Sequence, residues 1–93
     1  MIETDVQMTK DGEIIVCHDG TFDRICETAN RRNVKVLDTL SSDYPEFKDE
    51  MPLHFSHGKS YSRKATDDKT FITLSEAFKA IPKSQVVHLE IKN

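Results

Sequence analysis

The sequence predicts an α/β fold with parallel strands. Strand-like runs occur at residues 2–6 and 13–17 and again at residues 86–92. A helix pattern at residues 74–81 directly precedes the last run, and a helix leading into a strand is typical of parallel sheets. Reactive polar side chains lie at or near the carboxyl end of each apolar run, as they do in (β/α)₈ barrels.

The first two runs hold the first candidate site. Side chains alternate between the two faces of a strand, so Glu3 and Asp5 share one face. The intervening segment 9–12, Thr-Lys-Asp-Gly, predicts a turn. If this turn closes a hairpin, the two carboxylates lie opposite the end of the second run, which carries His18-Asp19. If the second run is instead parallel, the same groups still meet at one rim.

A simpler interpretation stays open at this point. Acidic residues are common on exposed strand faces, and a His-Asp pair often marks only the start of a loop. A small α/β domain with a solvated acidic strand is therefore an alternative to a metal-assisted site.

Composition excludes several classes of protein. A net charge of −3 offers no basic surface for nucleic acid, and no apolar run is long enough to span a membrane. Apolar residues make up only 37% of 93 residues, which is lean for a self-sufficient core but above the level of disordered chains. The strand pattern follows Met1 at once, without a leader pattern, and we expect the natural beginning of the chain to lie further upstream.

Cysteine and histidine usage argues against a disulfide framework or a zinc site. Cys17 and Cys26 are too few for a framework, and we expect reduced thiols with Cys17 packed as a small hydrophobe. Neither C-x-x-C nor H-x-x-x-H spacing occurs. His54 and His57 lie in a polar, Ser- and Gly-rich segment, and we interpret them as solvated loop residues.

The middle of the chain lacks periodicity. Residues 20–24 predict a loop anchored by Phe22, and residues 41–47 predict a cap-and-turn segment with one helical turn. Residues 51–68 show no pattern and predict a long excursion on the surface of a larger body.

Regular structure returns after Phe71. Apolar residues at 74, 77, 78 and 81 predict an amphipathic helix, with Thr73 and Glu76 as a capping box and Pro82 as the stop signal. Residues 86–92 then predict a strand with Glu90, Lys92 and His88 on one face.

The quoted motifs resemble a known family. The segment from Ile2 to Asp19, IETDVQMTKDGEIIVCHD, resembles glycerophosphodiester phosphodiesterase domains, in which an E-x-D strand precedes T-x-D-G, an apolar strand and H-D. Arg24 stands where that family has an arginine shortly after H-D. Residues 72–76 and 90–92 resemble its P-T-L-x-E-like motif and its E-x-K strand end, in the same order.

The resemblance implies a role for each candidate residue. Glu3, Asp5 and Glu90 would ligate a divalent cation, Mg²⁺ or Ca²⁺, which prefers such oxygen ligands. His18 would be one of two acid/base histidines. Lys92 would lie near the phosphate and offset its negative charge.

The resemblance also implies an incomplete fold. The family has TIM (β/α)₈ barrels of the phospholipase C-like phosphodiesterase type, and 93 residues are about a third of the roughly 250 that a barrel needs. The family's H-R-G strand and E-N-T helix have no counterpart here. We expect a partial domain over residues 1–93: a metal and histidine strand pair at 1–19, an insertion-like loop region at 20–70, and a helix and strand at 71–93.

The function implied is a metal-dependent phosphodiester hydrolase of lipid metabolism that cleaves glycerophosphodiesters or lysophospholipids, with the isolated chain inactive. The alternative is a non-catalytic truncated product that binds metal weakly or docks on a full-length relative. The substrate would be a small molecule or a lysophospholipid, without nucleic acid as a partner. The sequence FITLSEAF resembles the eukaryotic membrane-associated branch, which implies a cytoplasmic or membrane-associated full-length parent.

Overall fold

A computed structural model describes residues 2–53 and 58–92 of the chain. Two short sheets, one α-helix and two single-turn 3₁₀ helices follow one another in these residues. The strands are β1 (Ile2–Met8), β2 (Ile14–Val16), β3 (Glu50–Pro52), β4 (Ser60–Ser62) and β5 (Val87–Ile91). The helix α1 is Leu74–Ala80, and the 3₁₀ helices are Val36–Asp38 and Ser41–Asp43.

The larger sheet is mixed and has the order β2-β1-β5. β1 pairs with β2 antiparallel and with β5 parallel. Because α1 precedes β5, the chain from β1 to β5 contains a helical crossover, as the α/β prediction requires. Within the described residues the sheet does not close into a barrel.

The first two strands form the hairpin that was one of the two predicted arrangements. Thr9 N–H donates to the carbonyl of Glu13, and Gly12 adopts a φ of 83°, which favours glycine. β1 runs two residues past the predicted Val6, because Met8 still pairs with Ile14. Consequently Glu3 lies near the start of β1 and Asp5 at its midpoint, and neither lies at its carboxyl end, which corrects the sequence prediction.

The core lies between β2 and the segments that follow it. Its buried members are Ile15, Cys17, Phe22, Cys26, Val36 and Phe71. Phe22 is fully buried, so the predicted anchoring aromatic is confirmed, and its ring lies 5.3 Å from that of Phe71. Cys17 and Cys26 are free and buried, so Cys17 packs as the small hydrophobe that the sequence predicts. Burial raises the pKa of each thiol to about 12.

The helix begins and ends as the sequence predicts. The Thr73 hydroxyl accepts from Glu76 N–H, and the Glu76 carboxylate accepts from Thr73 N–H, so the capping box is complete. The apolar face is less covered than an amphipathic pattern suggests, because α1 has no buried residue and Phe78 remains 45% exposed.

Part of the predicted excursion is ordered as a second, two-stranded antiparallel sheet. β3 and β4 pair in register, and side chains reinforce the pairing: Ser62 Oγ donates to Glu50 at 2.6 Å, and Arg63 pairs with Asp49 at 3.1 Å. His54 and His57 lie outside the described residues. The helical turn predicted within 41–47 is the 3₁₀ helix Ser41–Asp43. No helix among the described residues has the length and hydropathy of a transmembrane span.

Candidate functional site

Three carboxylates from two distant segments meet on one face of the larger sheet. Strand register places Glu3 beside His88 and Asp5 beside Glu90 in the parallel ladder. One carboxylate oxygen each from Glu3, Asp5 and Glu90 lies within 4.8 Å of the other two. The structure therefore brings together all three residues that the sequence singled out, over more than 80 residues of chain.

Asp5 is the least exposed of the three carboxylate residues. Its side chain is 18% exposed, and Oδ1 is buried without a hydrogen-bond partner among the described residues. An ionised oxygen in such a place is costly unless a cation compensates it. The nearest positive group, Lys92 Nζ, lies 4.0 Å from Oδ1, beyond hydrogen-bonding distance.

Lys92 follows β5 and lies beside the carboxylates. Its Nζ is 3.1 Å from Glu90 Oε1, so Lys92 and Glu90 share a face as predicted. The Glu90 carboxylate, together with the charges of Asp5 and Glu3, raises the pKa of Lys92. This ammonium group offsets part of the negative charge but lies too far from Asp5 Oδ1 to form a hydrogen bond with it.

His18 joins the carboxylates because the hairpin is antiparallel. His18 lies two residues after β2, which ends where Val16 pairs with Val6, and Cys17 N–H donates to the carbonyl of Asp5. His18 Nε2 thereby lies 3.9 Å from Asp5 Oδ2, with the side chain 48% exposed. An imidazole in this position can exchange protons with a group bound beside the carboxylates.

Asp19 and Arg24 support His18, although the sequence alone indicated a role for neither of them. Asp19 Oδ1 lies 2.7 Å from His18 Nδ1, and Asp19 Oδ2 accepts from Arg24 Nε at 2.7 Å. The hydrogen bonds from Arg24, and then the contact with His18, lower the pKa of Asp19. The H-D motif carried the signal for Asp19, whereas the contact with Arg24 could not be read from its spacing.

Gln7 is a second residue that the sequence argument missed. It lies on the same strand face as Glu3 and Asp5, is 1% exposed, and donates from Nε2 to the carbonyl of His18 at 3.1 Å. A buried amide with a long-range partner fixes the main chain on which the imidazole is carried. A polar residue continuing the Glu3–Asp5 face was the available signal.

Glu3, Asp5 and His18 border an open cleft of about 510 Å³ whose apolar walls include Ile25, Phe47 and Met51. Glu90 lies beside Asp5 in the ladder but does not line the cleft. A larger groove of about 1000 Å³ lies between α1 and the start of β2. Neither the carboxylate cluster nor His18 borders this larger groove. The smaller cleft is therefore the candidate site, because Glu3, Asp5 and His18 line a concave surface there.

Comparison with known proteins identifies one family and one curated relative. The model of the glycerophosphoryl diester phosphodiesterase family matches residues 1–93. Among curated proteins, the chain is similar to a Mus musculus protein named lysophospholipase D GDPD3, with 30% identity over 97 residues. That match covers 99% of this chain but only 26% of the mouse protein. No solved structure gives a significant match.

Proposed function

Because the chain belongs to the glycerophosphoryl diester phosphodiesterase family, we propose that it carries part of the active site of a metal-dependent phosphodiester hydrolase of lipid metabolism. The observation that supports this most is the convergence of Glu3, Asp5 and Glu90 within 4.8 Å, beside His18. The substrate would be a glycerophosphodiester or a lysophospholipid, the latter suggested by the name of the mouse relative.

The donor set fits a hard divalent cation, Mg²⁺ or Ca²⁺. All three groups offer carboxylate oxygen, and such an ion would satisfy Asp5 Oδ1, a buried acceptor with no hydrogen-bond partner in the part of the chain that the structure describes. When bound, the ion supplies Lewis-acid polarisation of the phosphodiester and helps to hold the 2-hydroxyl of the glycerol.

The other residues supply proton transfer and charge. His18 would give or take a proton through Nε2, which faces the carboxylates, so that the leaving oxygen departs as an alcohol. Lys92 would place its ammonium beside the phosphate and offset the charge that grows during cleavage. The products would be a phosphomonoester and an alcohol.

We place the sheet in a (β/α)₈ barrel of the phospholipase C-like type, of which this chain forms about a third of roughly 250 residues. The parallel pairing of β1 with β5 across α1 supports this assignment. It also explains why Val86 and Ile91 at the β5 edge are 68% and 71% exposed. On this basis the isolated chain is inactive or nearly so.

A cation titration of the 93-residue chain tests the metal site directly. Mn²⁺ should broaden the amide signals of β1 and β5 around Asp5 and Glu90, and Mg²⁺ or Ca²⁺ should compete. Asp5→Ala should abolish the effect, whereas Glu50→Ala, an exposed acid outside the cluster, should not change it. If the broadening is unchanged in the Asp5→Ala variant, the three carboxylates do not form the metal site.

Hydrolysis is tested in a longer chain that contains these residues and the rest of the domain. Choline or ethanolamine release from lysophospholipids should require the cation and should be abolished by Glu3→Ala or Asp5→Ala. Full activity of either variant would refute the assignment. Robust turnover by the isolated 93 residues would refute its proposed inactivity.

A second candidate is a non-catalytic protein that docks on a full-length relative. The exposed Val86 and Ile91 favour it, because an uncovered apolar edge strand readily pairs with another chain. Analytical ultracentrifugation with the relative distinguishes the two. A stable complex without hydrolysis supports docking, and hydrolysis by the longer chain supports the first proposal.

A further inference from the structure

Three side chains, those of His18, Asp19 and Arg24, are connected by hydrogen bonds that lead away from the cleft. Asp19 Oδ1 lies 2.7 Å from His18 Nδ1. Arg24 grips the Asp19 carboxylate with two donors, Nε to Oδ2 at 2.7 Å and Nη2 to Oδ1 at 3.1 Å. Such a bidentate contact fixes the orientation of a carboxylate and favours its ionised form.

Arg24 is itself held in place. Its remaining nitrogen, Nη1, donates to the carbonyl of Pro52 at 2.6 Å, so all three guanidinium nitrogens are engaged. The side chain is only 23% exposed. Arg24 therefore serves the neighbouring carboxylate and is not directed at a ligand in the cleft.

The contact with the Asp19 carboxylate determines which ring nitrogen of neutral His18 carries hydrogen, and Arg24 fixes the orientation of that carboxylate. An ionised carboxylate can only accept hydrogen bonds, and the Arg24 hydrogen bonds keep the pKa of Asp19 below its usual value. The short contact therefore requires a hydrogen on His18 Nδ1. In the neutral ring the lone pair then belongs to Nε2, the nitrogen that lies 3.9 Å from Asp5 Oδ2.

We propose that Asp19, gripped by Arg24, is a positioning residue that holds neutral His18 as the Nδ1–H tautomer with Nε2 directed at the carboxylate cluster. The catalytic consequence of this inference rests on the proposed function, in which His18 is the proton-transfer group. Its structural content, the tautomer and the orientation, can be measured without turnover.

The experiment is ¹⁵N–¹H correlation spectroscopy of the histidine rings in the 93-residue chain under mildly alkaline conditions, in which imidazoles are neutral. The unmodified chain should show His18 with hydrogen on Nδ1. Asp19→Ala should shift His18 to the Nε2–H form that free imidazole side chains favour. A wild-type His18 that is mainly Nε2–H would overturn the proposal without any variant.

Two further variants separate positioning from general destabilisation. Arg24→Gln keeps the carboxylate but removes the grip, and it should give a mixture of tautomers. Asp49→Ala removes another Asp–Arg pair, with Arg63, and should leave His18 unchanged. An unaltered His18 spectrum in a folded Asp19→Ala chain would contradict the inference.

The same variants in the longer chain separate this inference from the proposed function. Asp19→Ala should lower kcat with little change in KM, because the substrate contacts remain. If the tautomer is as expected but the longer chain does not hydrolyse phosphodiesters, the proposed function fails and the positioning of His18 stands. If hydrolysis occurs with an Nε2–H His18, only the positioning inference fails.

Discussion

Asp5 lies directly beside Glu90 in the parallel ladder between β1 and β5, and the two carboxylates share a face with Glu3. Adjacent like charges on a sheet face are destabilising. The arrangement therefore lowers the stability of the fold. A cation bound between the carboxylates would relieve their repulsion, and this relief would favour binding.

The first prediction concerns this conflict. In the presence of a chelator, Asp5→Asn should raise the free energy of unfolding by about 0.2–1 kcal/mol, because one of three like charges is removed. Added Mg²⁺ or Ca²⁺ should stabilise the unmodified chain but not the variant. Urea denaturation followed by circular dichroism measures both effects.

Asp49→Asn provides the control, since the Asp49 side chain is 90% exposed and lies outside the cluster. If Asp5→Asn lowers the free energy of unfolding with chelator present, repulsion among the three carboxylates does not destabilise the fold.

The second prediction concerns the start of α1. Thr73→Ala should destabilise the chain by about 1 kcal/mol, because the Glu76 N–H loses its hydroxyl acceptor. Chemical denaturation gives the difference directly. Ser75→Ala, an exposed position in the same turn, should change stability by much less. Equal effects of the two substitutions would show that the capping box does not contribute.

The third prediction concerns acid stability. Asp11 accepts from Ser41 Oγ, Thr9 Oγ1 and Ser41 N–H, and these hydrogen bonds lower its pKa to about 2. Because the folded-state pKa lies below the unfolded value of about 3.9, the ionised side chain stabilises the fold above pH 4 or so. This contribution should be lost as the pH falls through about 2.

Asp11→Asn should lose the pH-dependent part of this stabilisation, so that its unfolding free energy falls less steeply between neutral pH and about 2 than that of the unmodified chain. The Ser41 amide resonance reports the same titration locally. A Ser41 resonance that titrates near pH 4 would contradict the lowered pKa.

The fourth prediction concerns the thiols. Cys17 and Cys26 should resist iodoacetamide in the folded chain, because burial raises their pKa to about 12 and the thiolate is the reactive form. Both should react in denaturant. Mass spectrometry counts the labelled thiols, with glutathione as the reactive standard. Rapid labelling of the folded chain would show that the core opens around β2.

The shared face of Glu3 and Asp5 could be predicted because it follows from a local rule, whereas the approach of Glu90, more than 80 residues further along, was implied only by the family resemblance. Period-two alternation puts Glu3 and Asp5 on one face, and the motif order places Glu90 in a second strand. The capping box at Thr73 was equally local. The Glu3–Asp5 face and the capping box depend on spacing within a few residues, which a sequence displays directly.

The contacts that could not be predicted are long-range. The β3–β4 pair carries Pro52 and two serines and shows no alternation, so its pairing depends on partners such as Asp49 and Arg63 that only the folded chain brings together. Likewise, nothing in the sequence indicates that Gln7 reaches the carbonyl of His18 or that Arg24 reaches that of Pro52.

The bond from Arg24 to Pro52 ends on a main-chain oxygen, which every amino acid possesses. Replacing the proline ring would leave this acceptor in place, whereas inserting or deleting a residue just before it would carry the acceptor out of reach. β3, which ends at Pro52, should therefore tolerate changes of residue type during evolution or engineering far better than changes of length.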